Sequence, residues 1–494
     1  MIENIKDDLI EEKYDSQSGK GFKRIFKNFS FLTSGKIIGD LFTFILFVAI
    51  SRKFGQEGIG QYSFAVGLSG FVAVFADFGL YYYTIKEVSK HRNSFEHYLQ
   101  KVFSLRIVQS ILILFILFLV VPFLDFSFTT RTIIIIIGIY QIIYSFTDGI
   151  SAVFIAYEYM NVAGGIEASL KIMTSLSALS IAFLGGDIVE TLLALPVFAS
   201  LQLFMVILLF KKKFGNVKIS FSLNSLIDTF RQTVPYGTSN FLSQLYTRTD
   251  IVLIGFLLGE SLAGIYNVGY RIVFFLLFIP RFASITLLPI ISRLFHESMF
   301  EFQKMYNKSL NMMIIIALPV SAGLCLIAPD FIELVFGSKF NESSIILRLL
   351  SGLFLMTCLS NIMEIFLIAS DHQTTRAKCQ WIATVVSVLS NLFLILLFGI
   401  EGAAIAVMFS SIFLVVLFTL KLKPVIGLPD IKSKVSVSFL GVAIFAVIFS
   451  LTHLSIFIII PGSALIYLGI ILLFKSVREN EIHMIIDLAR SKNR

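Results

Sequence analysis

Apolar runs of about twenty residues alternate with short polar breaks along nearly the whole chain. A run of that length matches the hydrocarbon thickness of a bilayer when coiled as a helix. The pattern predicts an all-α polytopic membrane protein of about fourteen transmembrane helices. They fall at 29–51, 62–82, 102–124, 131–156, 162–184, 188–210, 234–258, 264–290, 307–328, 343–369, 378–397, 401–420, 435–452 and 454–474. The last pair and the pair meeting at Gly399–Gly402 are the least sharply separated, so twelve or thirteen spans also satisfy the pattern. Three shorter stretches read as interfacial. In 220–233, Leu223, Leu226, Ile227 and Phe230 form one helical stripe, and Ile482, Ile485, Ile486 and Ala489 repeat that spacing in the tail. The apolar Asp330–Phe340 segment is placed as a loop on the outer surface.

One pattern occurs twice, 204 positions apart. Gly55, Gly60 and Tyr62 in FGQEGIGQYSFAVG return as Gly259, Gly264 and Tyr266 in LGESLAGIYNVGY, each joining two long apolar runs. Repeated loops between repeated hydrophobic hairpins predict two related halves, an architecture common in transporters with a substrate path between the halves.

Composition agrees with lipid as the main solvent. The chain of 494 residues is 56% hydrophobic and 15% charged, with mean hydropathy +0.87, against about 45–50% and about 25% in soluble domains. With the N-terminus inside, the outer loops carry only Arg52, Lys53, Arg131 and Lys339, while the inner loops and tails hold the rest of the loop cations, Lys211–Lys213 among them. That asymmetry orients the chain in the cell membrane with both termini cytoplasmic. It also accounts for the net charge of +8 without invoking nucleic acid. The polar first 28 residues lack the apolar core of a signal peptide, so the first span serves as the insertion signal. Cys325, Cys358 and Cys379 form no metal or disulfide spacing. There is no phosphate-binding GxxxxGK[ST] loop and no HExxH pair, which argues against an ATPase or an enzyme.

Charges within spans are costly and mark paths or partners. The basic set is Lys36, Arg106, Lys171, Arg248, Arg271, Arg281 and Arg348, and the acidic set includes Asp40, Asp77, Asp148, Glu167, Asp250 and Glu364. Arg106 and Arg348, near span ends, are expected to snorkel. Glu167 and Lys171, at i and i+4, either neutralise each other or serve a site. Lys36 and Asp40 lie one turn apart. The repeat offset maps Asp77 in ADFG onto Arg281 in PRFA, and pseudo-symmetry suggests an Asp77–Arg281 gate pair. Pro196, Pro280, Pro289 and Pro319 are expected kink sites.

Four segments carry a family resemblance. GKIIGDLFTFILFVAISRKFGQEGIGQYSFAVGLSGFVAVFADFGL, LYTRTDIVLIGFLLGESLAGIYNVGYRIV, LLPIISRLF and FGIEGAAIA resemble the oligosaccharide (Wzx-type) flippases of the multidrug/oligosaccharidyl-lipid/polysaccharide exporter superfamily. The resemblance implies two six-helix lobes in a V, with 29–210 the N-lobe, 211–233 a basic cytoplasmic linker and 234–421 the C-lobe. Spans at 435–474 are then extra, between the cytoplasmic tails 1–28 and 475–494. It implies alternating access that moves a polyprenyl-diphosphate-linked oligosaccharide to the outer leaflet for cell-surface glycan synthesis, without an organic cofactor. Lys36, Arg248, Arg271 and Arg281 are then the candidate partners of the anionic headgroup in a Lys/Arg-biased cavity. Asp40, Asp77, Asp250 and Asn391 are the coupling or gating candidates, with Asp250 and Asn391 as holders of Na+ or a proton. Membrane lipid, a polysaccharide polymerase and a glycosyltransferase are the implied partners. Lipid II flippases and multidrug/cation antiporters are the rivals within the superfamily. A membrane-embedded glycan polymerase or ligase is the rival of another class.

Overall fold

The computed structural model describes residues 19–92, 95–216, 221–429, 441–443 and Gly462. The two spans expected over 435–474 lie, apart from 441–443 and Gly462, outside the described residues, as do residues 1–18 of the N-terminal tail and the whole C-terminal tail with its Ile482–Ala489 stripe. The chain divides into two compact units, Met1–Arg248 and Thr249–Arg494.

The first unit contains α1 (Gly19–Asp77), α2 (Leu80–Lys90), α3 (Phe95–Val120), α4 (Phe128–Ala156), α5 (Met160–Phe183), α6 (Ile188–Phe214) and most of α7 (Leu223–Leu257). The second contains α8 (Glu260–Leu276), α9 (Phe278–Glu297), α10 (Met299–Phe336), α11 (Ser343–Ala369) and α12 (Gln373–Ile426). The described residues contain no strand, and helix covers every span expected before residue 421. Nine described stretches are long and apolar enough to cross a bilayer, and the Thr33–Lys90 and Gln373–Ile426 stretches are long enough to cross it twice. The protein is a multi-pass membrane protein.

The repeated glycines do the same backbone work in each unit. Gly55 breaks α1 at φ 69° and ψ −161°, and Gly259 opens α8 at φ 96° and ψ 167°. That corner of conformational space is nearly closed to residues with a β-carbon. A second echo went unread in the sequence. Gly215 and Gly427 close α6 and α12 at φ 85°, each donating its N–H to a lysine carbonyl four residues back, Lys211 at 3.0 Å and Lys423 at 2.9 Å.

Two expectations are corrected. Residues 223–233 do not form a separate surface helix, because they continue into the next span as α7. Leu226 packs against Leu80, Tyr83, Val102 and Leu105, and the Phe230 ring stacks on Phe78 at 5.2 Å, so protein rather than lipid takes part of the stripe. The Asp330–Phe340 segment is not an outer-surface loop: α10 runs to Phe336, and Phe336 and Phe340 are buried against each other. Non-helical backbone inside the long helices falls at Gly55 and Gly399, and the span expected over 264–290 is divided at Leu277, three residues before Pro280.

Two of the cations expected in outer loops have local structural work. The Lys53 ammonium bonds the Ala182 carbonyl, and at 2.6 Å the Gly186 carbonyl, past the end of α5. Arg131 bonds the carbonyls of Phe126 and Pro122. Cations at helix C-termini satisfy carbonyls that the helix leaves open.

Candidate functional site

The site begins where α1 ends. Phe78 (φ 35°) and Gly79 (φ 83°) turn the chain between α1 and α2. A β-carbon on Gly79 would collide with Thr233, Tyr236 and Gly237, so glycine is what admits α7 at this point. The turn leaves Asp77 as both a helix cap and an ion-pair partner. Its Oδ1 accepts from the Tyr81 N–H at 3.0 Å and from Arg106 Nη2 at 2.7 Å. Arg106 lies on α3 with 0% of its side chain exposed, and Gly149 on α4 leaves space for the guanidinium. The expected snorkelling of Arg106 is therefore wrong. An aspartate one helix away gives the cation a closer partner than any interface. Asp77, expected to meet Arg281, is engaged by Arg106 inside its own unit.

Beside this pair is a cavity of about 380 Å³ within the first unit. Asp77 and Gly70 of α1 form one wall. Gln141, Tyr144 and Asp148 of α4 form the second. Asn240, Gln244 and Arg248 of α7 form the third. Gly70 makes room for the Gln244 amide, because a β-carbon there would overlap it. Two carboxylates and one guanidinium line this cavity, with Arg106 behind Asp77.

A charge network joins α1 and α5 in the same unit. Lys171 Nζ lies 2.8 Å from Asp40 and 3.1 Å from Glu167, and Lys36 Nζ lies 3.5 Å from Glu167. Glu167 and Lys171 therefore do more than neutralise each other. Two small residues bring the helices together: Gly35 abuts the Gly164 backbone and Gly39 abuts the Lys171 stem. The Gly35-x-x-x-Gly39 spacing was the readable signal.

The other candidates belong to the second unit. Asp250 is 4% exposed and accepts from the Tyr266 hydroxyl at 2.6 Å and the Ile251 N–H at 2.8 Å. Buried Asn391 donates instead to the Ser387 carbonyl of its own helix at 2.8 Å. Arg271 and Arg281 lie over the Phe274 ring at 5.9 and 5.5 Å. The four proposed headgroup ligands thus fall into two groups, Lys36 and Arg248 in one unit and Arg271 and Arg281 in the other. No group of three or more His, Cys, Asp or Glu suited to a metal occurs among the described residues.

The family pattern described as "Polysaccharide biosynthesis protein" matches residues 25–295, over half of the chain. The chain belongs to that family. Similar proteins carry flippase or capsule names. One is the "Probable low-salt glycan biosynthesis flippase Agl15" of Haloferax volcanii, 24% identical over 92% of this chain and 96% of that protein. Another is the "Capsular polysaccharide biosynthesis protein CapF" of Staphylococcus aureus, 22% identical over 78% and 96%. Among solved structures, "Lipid II flippase MurJ, inward closed conformation" aligns with TM-score 0.74 at 16% identity, over 91% of this chain and 99% of that one. The structural likeness shows the fold, and the family match bears out the resemblance read from the sequence.

Proposed function

We propose that the protein is a secondary-type flippase that carries a polyprenyl-diphosphate-linked oligosaccharide from the cytoplasmic to the outer leaflet by alternating access. The observation that carries the reading is the cavity walled by α1, α4 and α7. Polar side chains facing such a space in a bilayer-embedded unit need water or a polar headgroup as their partner. Arg248 is the cavity group suited to the diphosphate oxygens. Lys36, Arg271 and Arg281 are further candidates for the headgroup. The relatives' names support glycan export, and the basic inner loops support a cell-membrane location with both termini cytoplasmic. A polysaccharide polymerase and a glycosyltransferase are the partners such a role implies. Na+ or protons, held at Asp250 with Asn391, are the proposed coupling ions, while Asp40 and Asp77 are the proposed gating residues. Thermal stability titrated with Na+ tests the ion: a Na+-dependent rise in wild type that Asp250→Asn removes is the expected result.

Transport is tested by reconstituting the full chain in liposomes and following a fluorescent polyprenyl-diphosphate oligosaccharide between leaflets. The expected result is protein-dependent movement that collapses in Arg248→Ala. A second reading, a multidrug/cation antiporter, draws on the two carboxylates of the cavity. Efflux of a small organic cation with no lipid movement would select it.

A further inference from the structure

The cavity holds polar groups that the protein itself leaves without hydrogen bonds. The carboxylate of Asp148 and the side-chain amides of Gln141, Asn240 and Gln244 make none among the described residues, although all four line one space of about 380 Å³. Asp77, by contrast, is committed to Arg106 and the Tyr81 N–H. Three primary amides offer six N–H donors and three carbonyl acceptors, and an ionised Asp148 only accepts. Such a mixture is poorly suited to a diphosphate, which offers acceptors alone and cannot satisfy the amide carbonyls or the Asp148 carboxyl oxygens. It suits a ligand that presents donors and acceptors on adjacent carbons.

We propose that this cavity is the sugar-recognition subsite of the flippase, binding an uncharged pyranose of the lipid-linked glycan through Asp148, Gln141, Asn240 and Gln244. The inference rests on the flippase reading and adds to it which end of the substrate each group reads. Arg248, on the same wall as Gln244, faces the diphosphate. Asp148 accepts from sugar hydroxyls, and the amides donate to and accept from hydroxyl or N-acyl groups. A site built from groups that hydrogen-bond a substrate discriminates against ligands lacking those groups, because its own polar atoms are then left unpaired. The subsite therefore makes the sugar, not the lipid, the basis of selectivity.

The test measures binding of short-chain lipids to the full-length protein in nanodiscs. The probes are polyprenyl diphosphate without sugar and the same lipid carrying a hexose or an N-acetylhexosamine. In wild type, at least one sugar-bearing lipid should bind roughly tenfold or more tighter than the sugarless one. Asp148→Asn, which is isosteric, and Gln244→Leu should each remove most of that increment while leaving the sugarless lipid unchanged. Arg248→Ala should weaken all the lipids together. A sugar increment that survives both variants, or variants that change sugarless binding equally, would overturn the subsite and leave the flippase reading standing. No increment for either sugar in wild type would do the same. Failure of wild type to bind any diphosphate lipid would overturn both.

Discussion

Arg106 Nη2 sits 2.7 Å from Asp77 Oδ1, with no part of the arginine side chain exposed. Two of its other nitrogens, Nε and Nη1, have no hydrogen-bond partner among the described residues. A buried pair of this kind is weak evidence for net stability, but removing one partner strands the other charge. Arg106→Met should therefore destabilise by about 3–5 kcal/mol, read as a large fall in the melting temperature of the purified protein. Adding Asp77→Asn should restore part of the loss. A double variant as unstable as the sum of the two single variants would show that the two residues are not coupled.

The repeat makes a paired prediction. Gly55 and Gly259 each hold positive φ with extended ψ, and a β-carbon added to either would have no neighbour within 4 Å among the described residues. Space is therefore not the constraint at either glycine. Gly55→Ala and Gly259→Ala should each cost about 1–3 kcal/mol through backbone strain alone, and by similar amounts. Thermal unfolding of the two variants checks this, and a neutral Gly259→Ala would break the equivalence of the two turns.

In the second unit the Tyr266 hydroxyl reaches the buried Asp250 at 2.6 Å. Tyr266→Phe keeps the ring and removes one hydrogen bond to the carboxylate. A loss of about 1.5–3 kcal/mol is expected for a bond to a charged acceptor. Asp250→Asn should lower the further effect of Tyr266→Phe in the same melting assay, since an amide carbonyl is the weaker acceptor.

The helices were legible because bilayer thickness imposes a length on every apolar run, and the two halves were legible because Gly55 and Gly259 mark a backbone geometry with few chemical solutions. The cavity was not legible in the same way. Asp77, Asp148 and Arg248 could be singled out as charges in spans, but the groups beside them come from different helices. Nothing local says that Arg106 turns inward to Asp77 or that Gln141, Asn240 and Gln244 share one space. Arg106 was misread because its distance from the span end suggested an interface, whereas Gly149 had vacated a pocket for it on a neighbouring helix. The amides were passed over because uncharged polar residues raise no alarm in a hydropathy profile. The α7 stripe misled for a related reason: Leu226 and Phe230 have the spacing of a lipid-facing helix, and the same spacing serves a helix packed on protein.

The approach of α1 to α5 gives a last prediction in which two neighbouring kinds of glycine respond with opposite sign. Gly165 lies exposed inside α5 with no described residue within 4 Å of a β-carbon, so Gly165→Ala should gain about 0.5–1 kcal/mol from helix propensity alone. Gly35→Ala carries the same propensity gain, but its methyl would overlap the carbonyl of Gly164, a backbone atom that cannot rotate away. Forcing the helices apart should cost about 1–3 kcal/mol and reverse the sign. It should also separate Lys36 and Asp40 from Glu167 and Lys171, since those ion pairs bridge the same two helices. Melting curves of the two variants give the signs. Lys171→Met measured in wild type and in Gly35→Ala then tests the link: its effect should shrink in the Gly35→Ala background, where the pair with Asp40 is already stretched. An undiminished effect would mean that α5 carries the network without needing the glycine contact.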